Sequence, residues 1–94
     1  MECSNRKGDF AEYYAVTWLW DQGYEVFKNC GSTGMIDMIA MKDNDIKLID
    51  VKTQRVVTRG RGLSEKQKKL GVCMLMFDPE TRNLAFRKHR HETY

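Results

Sequence analysis

The chain has 94 residues, 41% of them apolar, and a formal net charge of +3. That length makes residues 1–94 a single small domain with no second core, and no apolar run approaches the roughly 20 residues that cross a bilayer. Cys3, Cys30 and Cys73, without C-x-x-C spacing, argue against a disulfide framework or a zinc site and for a reducing, cytoplasmic setting; the polar start, Met1 to Lys7, is expected to carry no secretory h-region.

Residues from about Asp9 to Gln22 read as a helix stopped by Gly23. At 100° per residue, Ala15, Val16, Leu19 and Trp20 share one side. Glu12 falls at the centre of that side, so it should face the core or a cleft. Phe10, Tyr14 and Trp18 fall opposite. A helix apolar on both sides of so short a chain suggests a subunit interface, and hence a homodimer or higher homo-oligomer.

Tyr24 to Lys28 read as a short strand, Asn29 to Gly34 as a turn-rich loop, and Met35 to Met41 as a second strand. Lys42 to Asp45 make a hairpin turn, followed by a strand from Ile46 to Gln54. Thr58 to Gly62 should form a loop. Ser64-Glu65-Lys66-Gln67 has capping-box spacing and opens a short helix to about Leu70. After Gly71, strands follow at Val72 to Phe77 and Leu84 to Lys88. The order α, β, β, β, α, β, β predicts an α/β domain with a central mixed sheet flanked by helices.

Two strand-like apolar runs carry charge: Gly34-Met35-Ile36-Asp37-Met38-Ile39-Ala40 and Lys47-Leu48-Ile49-Asp50-Val51-Lys52. Burying such charge is costly unless something compensates it. Side chains two apart on a strand share a face, so Asp50, Lys52 and Gln54 lie together, and a hairpin brings Asp37 beside Asp50. Two adjacent carboxylates repel unless a cation sits between them. Oxygen ligands of this kind suit Mg²⁺ or Mn²⁺, with Glu12 as a third ligand. Lys52 would orient the attacking water or stabilise charge on a phosphate, and Gln54 would donate to a phosphate oxygen. From Lys52 to Lys69 the chain carries Lys52, Arg55, Arg59, Arg61, Lys66, Lys68 and Lys69 against Glu65 alone, a composition suited to DNA. His89 and His91 flank Arg90 in a basic tail and lack the further ligands of a metal site.

These residues resemble the PD-(D/E)xK nuclease superfamily, and within it the archaeal Holliday-junction resolvases and related small phage nucleases. The matching positions are Gly8 and Glu12, Gly31-Ser32-Thr33-Gly34, Ile36-Asp37-Met38-Ile39-Ala40, and Asp50-Val51-Lys52. The resemblance implies a restriction-endonuclease-like αβββαβ core and Mg²⁺-dependent hydrolysis of DNA phosphodiesters. It implies Glu12, Asp37 and Asp50 as metal ligands, Lys52 as the catalytic lysine, and Ser32 near the scissile phosphate. Ile36 stands where the family often has proline, and Asp50 where resolvases usually have glutamate.

Two kinds of endonuclease fit. One resolves branched, four-way DNA by shape. The other is a sequence-specific homing or restriction type that reads base edges through the Arg55 to Arg61 loop. A catalytically idle DNA-binding module would have lost an acid or the lysine, and none is missing. A calcium-binding structural domain would need a D-x-D-x-D-G loop, which is absent. Replacing Arg59 and Arg61 with alanine is expected to weaken DNA binding and lower the log–log salt slope by roughly two. Affinities measured from low to high salt check this; an unchanged slope contradicts the assignment.

Overall fold

The computed structural model describes residues 4–31, 34–54 and 62–87, with side chains from Asp9 onward. Ser32, Arg55, Arg59, Arg61 and the tail bearing His89 and His91 lie outside the described residues. The elements are α1 (Ser4–Asp21), β1 (Glu25–Lys28), β2 (Met38–Lys42), β3 (Asp45–Thr53), α2 (Glu65–Leu70), β4 (Val72–Phe77) and β5 (Leu84–Arg87). They follow the order expected from the sequence.

The strands form one sheet in the order β1-β2-β3-β4-β5. Among the described strands only β3 and β4 run parallel, and α2 lies in the crossover between them, as a parallel pair requires. The β2–β3 hairpin turns at Asp43 and Asn44, with Asp43 in the left-handed region at φ 55° and Lys42 paired to Asp45. Gly23 ends α1 at φ 92°, where its N–H donates to the Trp20 carbonyl and the Tyr24 N–H to that of Leu19. That pairing satisfies helix carbonyls that would otherwise lack donors.

Each helix covers a different face of the sheet. Ala15, Val16 and Leu19 of α1 pack on Met38, Ala40, Ile49 and Leu75. On the other face, beside α2, Leu63, Val72 and Met74 are buried with Ile36, Leu48 and Met76 packed against them. Alternation along β3 follows from this: Ile49 and Val51 face α1, while Asp50 and Lys52 face away from it.

Two expectations for α1 change. Trp20 is 59% exposed, not part of the core. The buried arc is centred on Ala11, Ala15 and Leu19, which leaves Trp20 beyond its edge. The opposite side, expected to meet another subunit, meets β4 and β5 of the same chain. Phe10 meets Phe77 edge-on and Tyr14 meets it tilted, with centroids 6.0 and 5.3 Å away, and Trp18 lies 5.9 Å from Phe86. Tyr14 and Trp18 are thus partly covered within the chain, while Phe10 remains 45% exposed. The large exposed apolar side chains include Phe27 and Ile46, which the strand register places on the sheet face beside α2.

Leu19→Ala is expected to cost about 2–5 kcal/mol of stability, as for a buried leucine that leaves a cavity. Trp20→Ala should cost less than about 1 kcal/mol, as a surface change. Urea unfolding of the two variants checks this, and comparable losses would contradict the placement of Trp20.

Candidate active site

Asp37 does not sit in a strand. The expected strand from Met35 begins only at Met38, and the preceding residues form a short strap. Hydrogen bonds fix this strap at successive residues. The Gln67 side-chain amide donates to the Met35 carbonyl at 2.8 Å, and the Asn29 side-chain amide donates to the Ile36 carbonyl at 2.9 Å. The Asn29 backbone N–H donates to the Asp37 carbonyl at 2.9 Å, and the Asp37 N–H donates to the Ile49 carbonyl at 2.8 Å. Gly34, at φ 139°, enters the strap where an added Cβ would stand 2.9 Å from the Asn29 amide nitrogen.

The strap aims the Asp37 carboxylate along the end of the sheet. Its Oδ2 accepts the Val51 N–H at 2.7 Å, taking the place of a strand carbonyl. Met38 pairs with Ile49, so one further step of register puts Asp37 opposite Asp50. Asp50 is buried between the sheet and the α2 side, next to Met74 on β4. Burial pushes the Asp37 carboxyl above its ordinary range. The nearby Asp50 carboxylate adds to this, while the Val51 N–H and the Lys52 ammonium act against it.

Asp50 itself is short of donors. Its Oδ2 is buried and accepts no hydrogen bond among the described residues. The Lys52 ammonium stands 3.4 Å from that oxygen, an ion-pair distance without hydrogen-bond alignment. The Lys52 side chain remains 41% exposed, so its charge faces both the carboxylate and solvent. Two carboxylates, one with a buried oxygen that accepts no hydrogen bond among the described residues, match the demand of a hard divalent cation for oxygen ligands.

Glu12 is not with them. Its carboxylate pairs with Lys28 at 2.8 Å, and Lys28 stands beside Met38 on the α1 face. Among the described residues no three His, Cys, Asp or Glu side chains stand together as a metal site. The expected three-carboxylate cluster is therefore reduced to Asp37 and Asp50. The cause is topological: α1 packs on the face from which Asp50 and Lys52 point away. Gln54 lies one residue past β3 and is exposed, with its backbone N–H bonded to the Phe77 carbonyl.

The short helix is built as its sequence implies. Ser64 caps it: its Oγ accepts the Gln67 N–H at 3.1 Å, and Gln67 Oε1 accepts the Ser64 N–H at 2.8 Å. Gln67 turns inward at 8% exposure, while Lys66, Lys68 and Lys69 are exposed. Lys68 has Glu65 as a partner at 3.6 Å. Sequence reasoning missed the strap's two amides, Asn29 and Gln67. The Gln67 half of the capping box was its only visible signal.

The mixed five-stranded sheet with a helix on each face is that of the restriction-endonuclease-like fold. A bacterial homing endonuclease, I-Ssp6803I, shares it with a TM-score of 0.75 at 13% identity, over 92% of this chain and 69% of that one. Residues 3–70 match the family model for archaeal Holliday junction resolvase (hjc), and the chain belongs to that family. UPF0102 proteins from two strains of Treponema pallidum, Nichols among them, are 42% identical over 50 residues, 51% of this chain. The match spans 40% of the length of those relatives.

A carboxyl whose folded pKa is raised stabilises the fold fully below its ordinary value near 3.8 and loses that contribution as pH rises through the folded value. In Asp37→Asn the side-chain oxygen can still accept the Val51 N–H, and the amide can donate toward Asp50. Without metal, this variant should exceed the parent in stability near pH 7, and the gap should shrink toward about pH 4. Urea unfolding across that range checks it; an offset independent of pH contradicts the charge assignment.

Proposed function

We propose that this chain is a metal-dependent DNA endonuclease that hydrolyses phosphodiesters at branched, four-way junctions. The single observation that carries this is the Asp37–Asp50 pair, with a buried Asp50 oxygen that accepts no hydrogen bond among the described residues and the Lys52 ammonium 3.4 Å from it. Family membership supports the junction as substrate. Residues 1–94 act as one nuclease domain in this account.

Asp37 and Asp50 would hold Mg²⁺ or Mn²⁺ between them. A bound cation would offset their repulsion, acidify water and supply positive charge to the phosphate. The strap and β3 hold the two carboxylates in place, so little reorganisation is needed when DNA arrives. Lys52, half exposed, is positioned to orient the attacking water or to meet the charge developing on a phosphate oxygen. Lys66, Lys68 and Lys69 on α2 would contact the phosphate backbone, joined by Ser32, Arg55, Arg59 and Arg61. Glu12, committed to Lys28, is left out of this ligand set. Cutting two strands of a junction calls for two centres, which a homodimer would supply.

Lys52→Ala and Asp50→Asn are each expected to lower the cleavage rate by at least about a hundredfold, while DNA binding persists. The assay compares a four-way junction, a plain duplex and genomic DNA with Mg²⁺ or Mn²⁺. Preferential cutting of the junction supports the proposed substrate, and discrete cuts in plain duplex would favour the sequence-specific type. Variants that cut at the parental rate would refute the site.

A further inference from the structure

Gln67 makes two sets of contacts with one side chain. Its Oε1 closes the capping box of α2 by accepting the Ser64 N–H, and its Nε2 reaches across to donate to the Met35 carbonyl. Met35 lies in the strap that ends at Asp37, two residues on. The neighbouring positions Lys66, Lys68 and Lys69 point outward from the same helix. A single buried amide thus ties the lysine-bearing helix to the segment that aims a carboxylate at Asp50.

We infer that Gln67 is a positioning residue, which sets the Asp37 carboxylate against Asp50 through the Met35 carbonyl and couples that placement to the DNA-facing helix. The inference rests on the proposed nuclease reading for its catalytic consequence, though not for the structural coupling. A capping box needs only an acceptor at this position, which Glu supplies as well as Gln. The Met35 carbonyl needs a donor, which only the amide provides. Asn29 holds the next carbonyl of the strap, so loss of Gln67 would free one end and leave the other attached.

The test uses Gln67→Glu, which keeps size and cap but sets a carboxylate against the Met35 carbonyl. A buried charge can itself unsettle the helix, so Gln67→Leu is measured beside it. Ser64→Ala serves as the control that weakens the cap and leaves the Met35 contact in place. The first readout is the Val51 amide in ¹⁵N-resolved spectra of the metal-free protein, because its proton is donated to Asp37 Oδ2 at 2.7 Å. It should shift and exchange faster in both Gln67 variants and stay unchanged in Ser64→Ala. The second is single-turnover cleavage of the junction, which should fall by about a hundredfold in the Gln67 variants with junction affinity kept.

A Val51 amide unmoved in both Gln67 variants overturns the inference. So does a Ser64→Ala effect on Val51 equal to theirs, since a helix-stability role would explain both. If the parental chain cuts no DNA, the nuclease reading fails separately, and the Val51 signal alone decides the coupling.

Discussion

One hydrogen bond organises the site: the Val51 N–H donating to the carboxylate of Asp37. It inserts a side chain where an antiparallel strand would otherwise present a carbonyl, and so brings an acid to the edge of β3 beside Asp50. Without a partner between them the two carboxylates oppose one another in a half-buried setting. Burial first, and the neighbouring carboxylate after it, raise the Asp37 pKa, and one Asp50 oxygen accepts no hydrogen bond among the described residues. A protein that used these residues only for stability would do better with apolar side chains.

The surrounding framework absorbs the cost. The core of α1, β2, β3 and β4 is apolar and closed on the far face, through Leu19, Met38, Ile49 and Leu75. The parallel pairing of β3 with β4 fixes where Asp50 and Lys52 emerge, and the crossover helix between them presents its lysines on the same side of the sheet. Asp50, Lys52 and the basic helix thus follow from one topological element, the β3–α2–β4 connection, while Asp37 comes from the strap before β2.

Sequence patterns exposed much of this framework and less of the site. Strand positions, the Ser64 capping box and the Asp50-x-Lys52 face could be read because period-two alternation and capping spacing are local rules. Trp20 was misplaced because helical periodicity gives the phase of an apolar arc but not its centre. Here the small residues Ala11 and Ala15 mark that centre by allowing close approach to the sheet. The aromatic side looked unpartnered because the rings it meets, Phe77 and Phe86, lie far along the chain. Glu12 pairs with Lys28 on the α1 face; the sheet has two faces, and only the topology tells which one α1 meets. The strap was invisible for a similar reason: Asn29 and Gln67 bond to backbone carbonyls, which leave no mark on side-chain pattern.

Asp37 and Asp50 together would create a site for a divalent cation. Mn²⁺ titration followed by electron paramagnetic resonance, with Mg²⁺ as competitor, measures it directly. The parental chain should bind one ion per site, displaced by Mg²⁺, and the Asp37→Asn/Asp50→Asn double variant should lose that binding while staying folded. Equal Mn²⁺ uptake by the parent and the double variant, or no uptake by the parent, would contradict it.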